Sequence, residues 1–138
     1  MILINEDDKQ TLYITRGDAP NGEINKVAFR LPLYNFSTEE VEDYEFQLTD
    51  EIVFSVYEKK GYTHNEILRK TYTISDLGYV EPTTTPELQI TQTDTMKFPL
   101  DNKKQTYFYE IVLNGKTTII GDNDNKTNKI VVYPGVKE

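Results

Sequence analysis

Lys26-Val27-Ala28-Phe29-Arg30-Leu31-Pro32-Leu33 decides the fold class. Side chains of an extended strand alternate between two faces. Here Val27, Phe29, Leu31 and Leu33 fall on one face, and Lys26, Arg30 and Pro32 fall on the other. A period of two is the pattern of a half-buried strand rather than a helix. Pro32 brings no N–H to a ladder, so this strand lies at a sheet edge or ends there.

Working outward, the same reading predicts strands at Thr11–Thr15, Tyr44–Leu48, Ile52–Glu58, Leu68–Ile74, Glu87–Thr91, Thr106–Leu113, Thr117–Ile120 and Lys129–Tyr133. They are rich in Ile, Val, Thr, Tyr and Phe, which pack well on a pleated surface. Leu12 and Ile14 are expected inward, as are Ile52, Phe54 and Val56. Val53 and Tyr57 lie opposite the latter three, so that strand is expected to be covered on both faces. Leu113-Asn114-Gly115-Lys116 is the strongest turn signal, because Asn-Gly readily takes the two positive-φ positions of a type I′ hairpin. Ser37-Thr38-Glu39-Glu40 matches a capping box, but the apolar period after it is two, so one helical turn at most is expected there. Thr83-Thr84-Thr85-Pro86 reads as an extended linker inside the domain. Seven to nine short strands without long helices point to a sandwich or a barrel, with the sandwich preferred. The fold class is therefore all-β, in one domain over residues 1–138, with residues 1–10 as an extended arm.

Hydrophobic residues make up only 37% of the chain, but ten Tyr and six Phe compensate, since each aromatic buries about 150–250 Å². The net charge of −8 comes without any Lys/Arg stripe. Nucleic-acid binding needs a basic face and anionic membranes repel an acidic one, so neither is an expected partner. There is no cysteine, which removes disulfides, thiolate nucleophiles and Cys-based metal sites and fits folding in a reducing cytoplasm. Met1-Ile2-Leu3-Ile4 runs straight into Asn5-Glu6-Asp7-Asp8, without the basic start and apolar run of a signal peptide.

The chemistry-bearing motifs are few. His64 is the only histidine and sits in a turn-rich stretch with no local partner; a solvent-exposed loop position is expected. Asp122, Asp124 and Asn125 are the one candidate set for a cation, because they could offer hard oxygen ligands to Ca²⁺. The glycine and distal Glu of a calcium loop are missing, and a polar inter-strand loop is the simpler expectation. Arg16-Gly17-Asp18 spells an integrin-binding tripeptide, but such a match is short and common, and a turn after the first strand is the expected role. Asn35-Phe36-Ser37 and Asn125-Lys126-Thr127 fit glycosylation sequons, which matter only on a secretory route. No nucleophile elbow, phosphate loop or zinc-protease motif occurs. No catalytic residue, cofactor or essential metal is expected. Tyr72, Tyr107, Tyr109 and Tyr133 are expected in the core or on a sheet face; Tyr13, Tyr57, Tyr62 and Tyr79 are the candidates for exposure.

Three segments together carry a family resemblance. Thr11-Leu12-Tyr13-Ile14-Thr15-Arg16-Gly17-Asp18, Leu48-Thr49-Asp50-Glu51-Ile52-Val53-Phe54-Ser55-Val56, and Tyr107-Phe108-Tyr109-Glu110-Ile111-Val112-Leu113 with its hairpin to Thr117-Thr118-Ile119-Ile120 are similar to strands and turns of small tail proteins from phages and prophages of Gram-positive bacteria. The chain resembles the N-terminal immunoglobulin-like module of phage baseplate upper proteins, with Thr49 where that group has Gly. The resemblance implies an immunoglobulin-like antiparallel β-sandwich of seven to nine strands. It also implies a non-enzymatic structural component of a phage or prophage tail or baseplate. Other tail and baseplate proteins would then be the partners, homo-oligomers would form in the assembly, and the protein would move from the bacterial cytoplasm into the virion. Docking is expected through sheet edges near Pro32 and at Lys129–Tyr133. The alternative from another class is a carbohydrate-binding or adhesive module on a virion or cell surface.

Overall fold

The computed structural model describes residues 2–3, 11–17, 25–58, 66–99, 102–120 and 128–135. Among these residues the chain is all-β, and its helical pieces are one 3₁₀ turn, Ser75–Leu77, and one short helix α1, Gln92–Thr95. The strands are β1 (Ile2–Leu3), β2 (Leu12–Thr15), β3 (Asn25–Ala28), β4 (Pro32–Asn35), β5 (Glu40–Asp43), β6 (Glu51–Tyr57), β7 (Glu66–Thr73), β8 (Glu87–Ile90), β9 (Gln105–Leu113), β10 (Thr117–Ile120) and β11 (Lys129–Tyr133).

They form three sheets. The first runs β1-β3-β8 and the second β2-β11-β9-β6-β7, with β10 also paired to β9. β11 and β10 share one edge of β9, the former opposite Gln105–Phe108 and the latter opposite Ile111–Leu113. The third sheet is the isolated hairpin β4-β5. β1 lies parallel to β3 and β2 parallel to β11, so the first two sheets are mixed rather than purely antiparallel. Parallel neighbours cannot be joined by a tight turn, and more than a hundred residues separate Thr15 from Lys129.

The first two sheets share one core. Val27, Leu88 and Ile90 meet Leu12, Ile52, Phe54, Val56, Tyr109, Ile111 and Ile130 in a single buried cluster. Phe29 and Phe46 cross edge-on within it, with centroids 5.6 Å apart. β6 carries Ile52, Phe54 and Val56 on the core face, and Ser55 and Tyr57 are buried on the opposite face. The sequence-based view of a doubly covered strand therefore holds, but Tyr57 is a buried residue and not an exposed one. Asn114 and Gly115 adopt φ +53° and +67°, as a type I′ turn requires. The Lys116 N–H closes that turn on the Leu113 carbonyl at 3.0 Å.

Among the described residues several elements differ from those expected, and the differences have local causes. The expected strand through Leu33 breaks after Ala28, and its second half begins at Pro32 as β4, consistent with a residue that has no N–H to give. Phe29 still bonds the Pro86 carbonyl at 3.1 Å, after which the chain leaves the sheet. Tyr44–Leu48 is not a strand: Phe46 makes only an isolated bridge to Thr83. Ser37–Glu40 goes no further than one turn, with the Glu39 N–H on the Asn35 carbonyl at 2.8 Å, and closes the β4-β5 hairpin with Glu39 in the left-handed region at φ +57°. Ile2–Leu3, expected in an arm, pairs with β3. β11 is no edge, because β2 flanks it on one side and β9 on the other. Its consecutive Ile130, Val131 and Val132 are all buried, the mark of a strand enclosed by the sheet.

Candidate docking surface

Among the described residues no group of three or more His, Asp or Glu side chains is placed to hold a metal ion. Asp122, Asp124 and Asn125 lie outside the described residues, as do His64, Tyr62 and Asp18. Arg16 and Gly17 are held within the fold. The Arg16 Nε donates to the Phe98 carbonyl at 3.0 Å and the Gly17 N–H to the Thr95 hydroxyl at 2.8 Å.

Two buried carboxylates are explained by structure alone. Asp50 accepts hydrogen bonds from the Tyr44 hydroxyl and the Gln47 N–H, both at 2.8 Å, and from the Asn114 amide at 3.0 Å. Burial pushes its carboxyl up, but these donors outweigh burial and hold it below the ordinary range. Asp94 caps α1 through a reciprocal bond pair with Thr91, a capping box with Asp in place of Glu. It also accepts the Lys70 ammonium at 2.6 Å, while Lys70 donates to the Gln89 carbonyl. Burial again opposes ionisation, and the Lys70 and Thr91 donors win, leaving Asp94 below its ordinary value. Lys70 thus ties β7 to β8, one edge from each of the two large sheets. The Tyr72 hydroxyl is buried without a partner among the described residues, and desolvation, then the Asp94 charge, push its pKa up. The bonds to the two carboxylates tie Asp50 to the Asn114 turn and Asp94 to β7 and β8.

The exposed face is different. Neither strand of the β4-β5 hairpin has a buried residue. Directly opposed residues share a face, so Pro32, Tyr34, Val41 and Asp43 form one side and Leu33, Asn35, Glu40 and Glu42 the other. Phe36 at the tip is 87% exposed and its ring meets Tyr34 edge-on at 4.8 Å. Val41 is 66% exposed and Tyr34 51%. A shallow groove of about 480 Å³ follows the hairpin, lined by Leu33, Tyr34 and Phe36 together with Glu42 and Asp43. The tip is shaped by Asn35, whose Oδ1 accepts the Ser37 N–H at 2.9 Å and the Thr38 N–H at 3.3 Å. That is an Asx turn, and it gives the Asn35-Phe36-Ser37 sequon a turn-forming role. Asp43 pairs with Arg30 at 3.8 Å where the hairpin meets the body.

A second exposed aromatic pair stands elsewhere. Tyr13 on β2 and Tyr133 on β11 stack at 6.4 Å with 25° between their rings. Tyr133, expected on a sheet face, is there and 40% exposed. Tyr107 and Tyr109 are in the core, and Tyr72 and Tyr79 pack partly buried against it. The edge expected near Pro32 lies at the start of this hairpin, but the hairpin as a separate exposed element is hidden in the sequence because Leu33 and Tyr34 continue an alternation that began in the core. The signal available was Asn35-Phe36-Ser37, a turn tripeptide with a large apolar residue at its centre. No family model, curated protein or solved structure matches the chain.

Proposed function

We propose that this protein is a non-enzymatic assembly module that docks on another protein through the β4-β5 hairpin. The uncovered hairpin is the observation that carries the reading. A two-stranded hairpin alone in water is marginally stable at best, and this one has neither face packed on the core. Covering Tyr34, Phe36 and Val41 would remove from water an exposed aromatic pair and the valine that shares the Tyr34 face. Aromatic anchors of this kind concentrate binding energy at protein interfaces.

The fold is proposed to be an immunoglobulin-like β-sandwich. The order β11-β9-β6-β7 in one sheet and β3-β8 in the other agrees with the G-F-C-C′ and B-E strands of a variable-type domain, with β4-β5 inserted between B and C. This supports the resemblance to phage tail and baseplate modules, and tail or baseplate proteins are the proposed partners. The Tyr13–Tyr133 pair is the one observation that favours the carbohydrate-binding alternative, since open ring faces stack on sugars.

The test is co-purification from cells expressing a tail gene cluster, with the native chain beside Tyr34→Ser/Phe36→Ser and Tyr13→Ser/Tyr133→Ser variants, and a glycan array in parallel. A tail protein retained by the native chain and lost by the hairpin variant supports the proposal. Glycan binding lost only in the Tyr13/Tyr133 variant overturns it.

A further inference from the structure

The hairpin is acidic as well as apolar, and this says what covers it. Between Leu31 and Glu58 the sequence has eight acidic residues and no Lys or Arg. Five of the eight, Glu39, Glu40, Glu42, Asp43 and Glu45, fall within or beside the hairpin. Asp43 has Arg30 as its counter-ion, at the base. Glu42 is held in place instead, by the Asn35 amide at 3.3 Å and the Thr38 hydroxyl at 3.4 Å. A carboxylate oriented by its own neighbours loses little freedom on meeting a cation. Glu40 lies beside it on the same face, opposite Asn35.

Resting on the docking reading above, we infer that the hairpin's partner is a protein bearing an apolar cleft rimmed by Lys or Arg. Tyr34, Phe36 and Val41 fill the cleft, and Glu40 and Glu42 meet the basic rim. The groove along the hairpin joins both kinds of contact, since Tyr34 and Phe36 line it together with Glu42 and Asp43. A second copy of this chain is disfavoured by charge, because it brings the five carboxylates from Glu39 to Glu45 close to the same five of the other copy, and like charges at an interface are costly. Phosphate-bearing surfaces, nucleic acid or anionic lipid, are repelled for the same reason. Charge complementarity at a rim acts chiefly on association rate and partner choice, and the apolar anchors set the lifetime.

The test uses the full chain and three short synthetic peptides: one alternating Lys with Leu, one alternating Lys with Ser, and one alternating Glu with Leu. Fluorescence anisotropy of labelled peptide gives affinity at low and high ionic strength. Three variants are compared: Tyr34→Ser/Phe36→Ser, Glu40→Gln/Glu42→Gln, and Glu58→Gln/Glu81→Gln as an equal charge change at exposed positions outside the hairpin. Melting curves verify that each is folded. The Lys–Leu peptide should bind at least about tenfold more tightly than the other two. Both hairpin variants should weaken it about tenfold, and the outside variant less than about twofold. Equal binding of the Lys–Ser peptide, or equal loss in the outside variant, reduces the effect to general attraction and overturns the inference. Preference for the Glu–Leu peptide, lost in Tyr34→Ser/Phe36→Ser, leaves the hairpin a docking element and overturns its basic partner. Self-association abolished by the hairpin variants, read by sedimentation, assigns the surface to a second copy and also overturns it. Absence of any hairpin-dependent peptide binding overturns it too, and the co-purification result then decides the docking reading on its own.

Discussion

Replacing Asn114 in turn by Gly, Ala and Asp separates three contributions that one residue combines. Its Oδ1 accepts the Glu51 N–H at 2.8 Å, and its Nδ2 donates to the Asp50 carboxylate at 3.0 Å. Its backbone sits at φ +53°. A neutral hydrogen bond contributes about 0.5–1.5 kcal/mol net and one to a charged group about 1.5–3 kcal/mol. Asn114 is exposed, so the low ends apply and the two bonds together contribute about 2 kcal/mol. Gly removes both bonds and leaves the left-handed backbone unstrained, so Asn114→Gly should lose that amount. Ala adds the steric penalty of a left-handed Cβ, about 1–2 kcal/mol, for a total near 3–4 kcal/mol. Asp keeps the acceptor for Glu51 but sets a second carboxylate against Asp50, and paired carboxylates resist joint ionisation. Its loss should therefore shrink as the pH falls toward the carboxyl range. Urea unfolding followed by circular dichroism measures each variant, with the slope checked for constancy. Asn114→Ala as stable as Asn114→Gly would refute the backbone argument. A stability for Asn114→Gly equal to the native chain would refute the contribution of the bonds.

Four further outcomes follow from the same geometry. Asp50 and Asp94 are both held below the ordinary carboxyl value of 3.8, so on acidification the unfolded chain takes up these protons first. Their contribution is thus fully present above that value and lost as pH falls through the folded-state values; acid titration of the urea midpoint should show the loss, and Asp50→Asn or Asp94→Asn should flatten it. Phe54→Ala empties a fully buried site on the core face of β6 and should cost about 3–5 kcal/mol in chemical denaturation. Lys70→Met leaves Asp94 buried without its counter-ion and should cost about 3 kcal/mol, at the low end because Thr91 still donates to it; a more stable variant would show that desolvation of the pair outweighs its attraction. Gly135→Ala drives a Cβ into the Arg16 carbonyl, where β2 and β11 end together, and should lower stability by about 1–3 kcal/mol in thermal unfolding.

The strands legible in the sequence are those whose two faces differ. Leu12 and Ile14 against Tyr13, and Ile52, Phe54 and Val56 against Glu51 and Val53, report a core face by alternation alone. The Asn114-Gly115 turn was legible because few residue pairs accept two positive φ values. Helix α1 was missed because its cap, Thr91-Gln92-Thr93-Asp94, introduces a single turn with no apolar stripe to extend it. At Ser37-Thr38-Glu39-Glu40 the capping-box pattern leads to no helix beyond a turn. There the side chain of Asn35 captures the N–H groups of Ser37 and Thr38, and a local side-chain bond of this kind competes with helix formation. The edge status of β11 was unreadable for a longer-range reason. Its flanking strand β2 comes from the other end of the chain, and local pattern carries no information on which distant strand closes an edge.

The candidate site was the least legible part, and the reason is physical. Alternation reports that one face of a strand avoids water; it does not report what that face meets instead. Leu31 and Leu33 occupy equivalent phases of one pattern, yet Leu31 is buried in the core and Leu33 is 46% exposed on the hairpin. The break between them is set by Pro32 opening a new strand and by Tyr44 bonding back to the Leu31 carbonyl at 2.8 Å, which turns the chain away from the body. Beyond that point the apolar phase continues without a core to receive it. A sequence whose only constraint was the monomer's stability would place polar residues at Leu33, Tyr34, Phe36 and Val41, because exposed apolar groups contribute little to folding and favour aggregation. The cost of retaining them falls on solubility, and the five acidic residues from Glu39 to Glu45 offset it by keeping copies apart. Apolar anchors flanked by like charge are thus two halves of one solution: a surface that resists its own kind and is open to a partner of opposite charge.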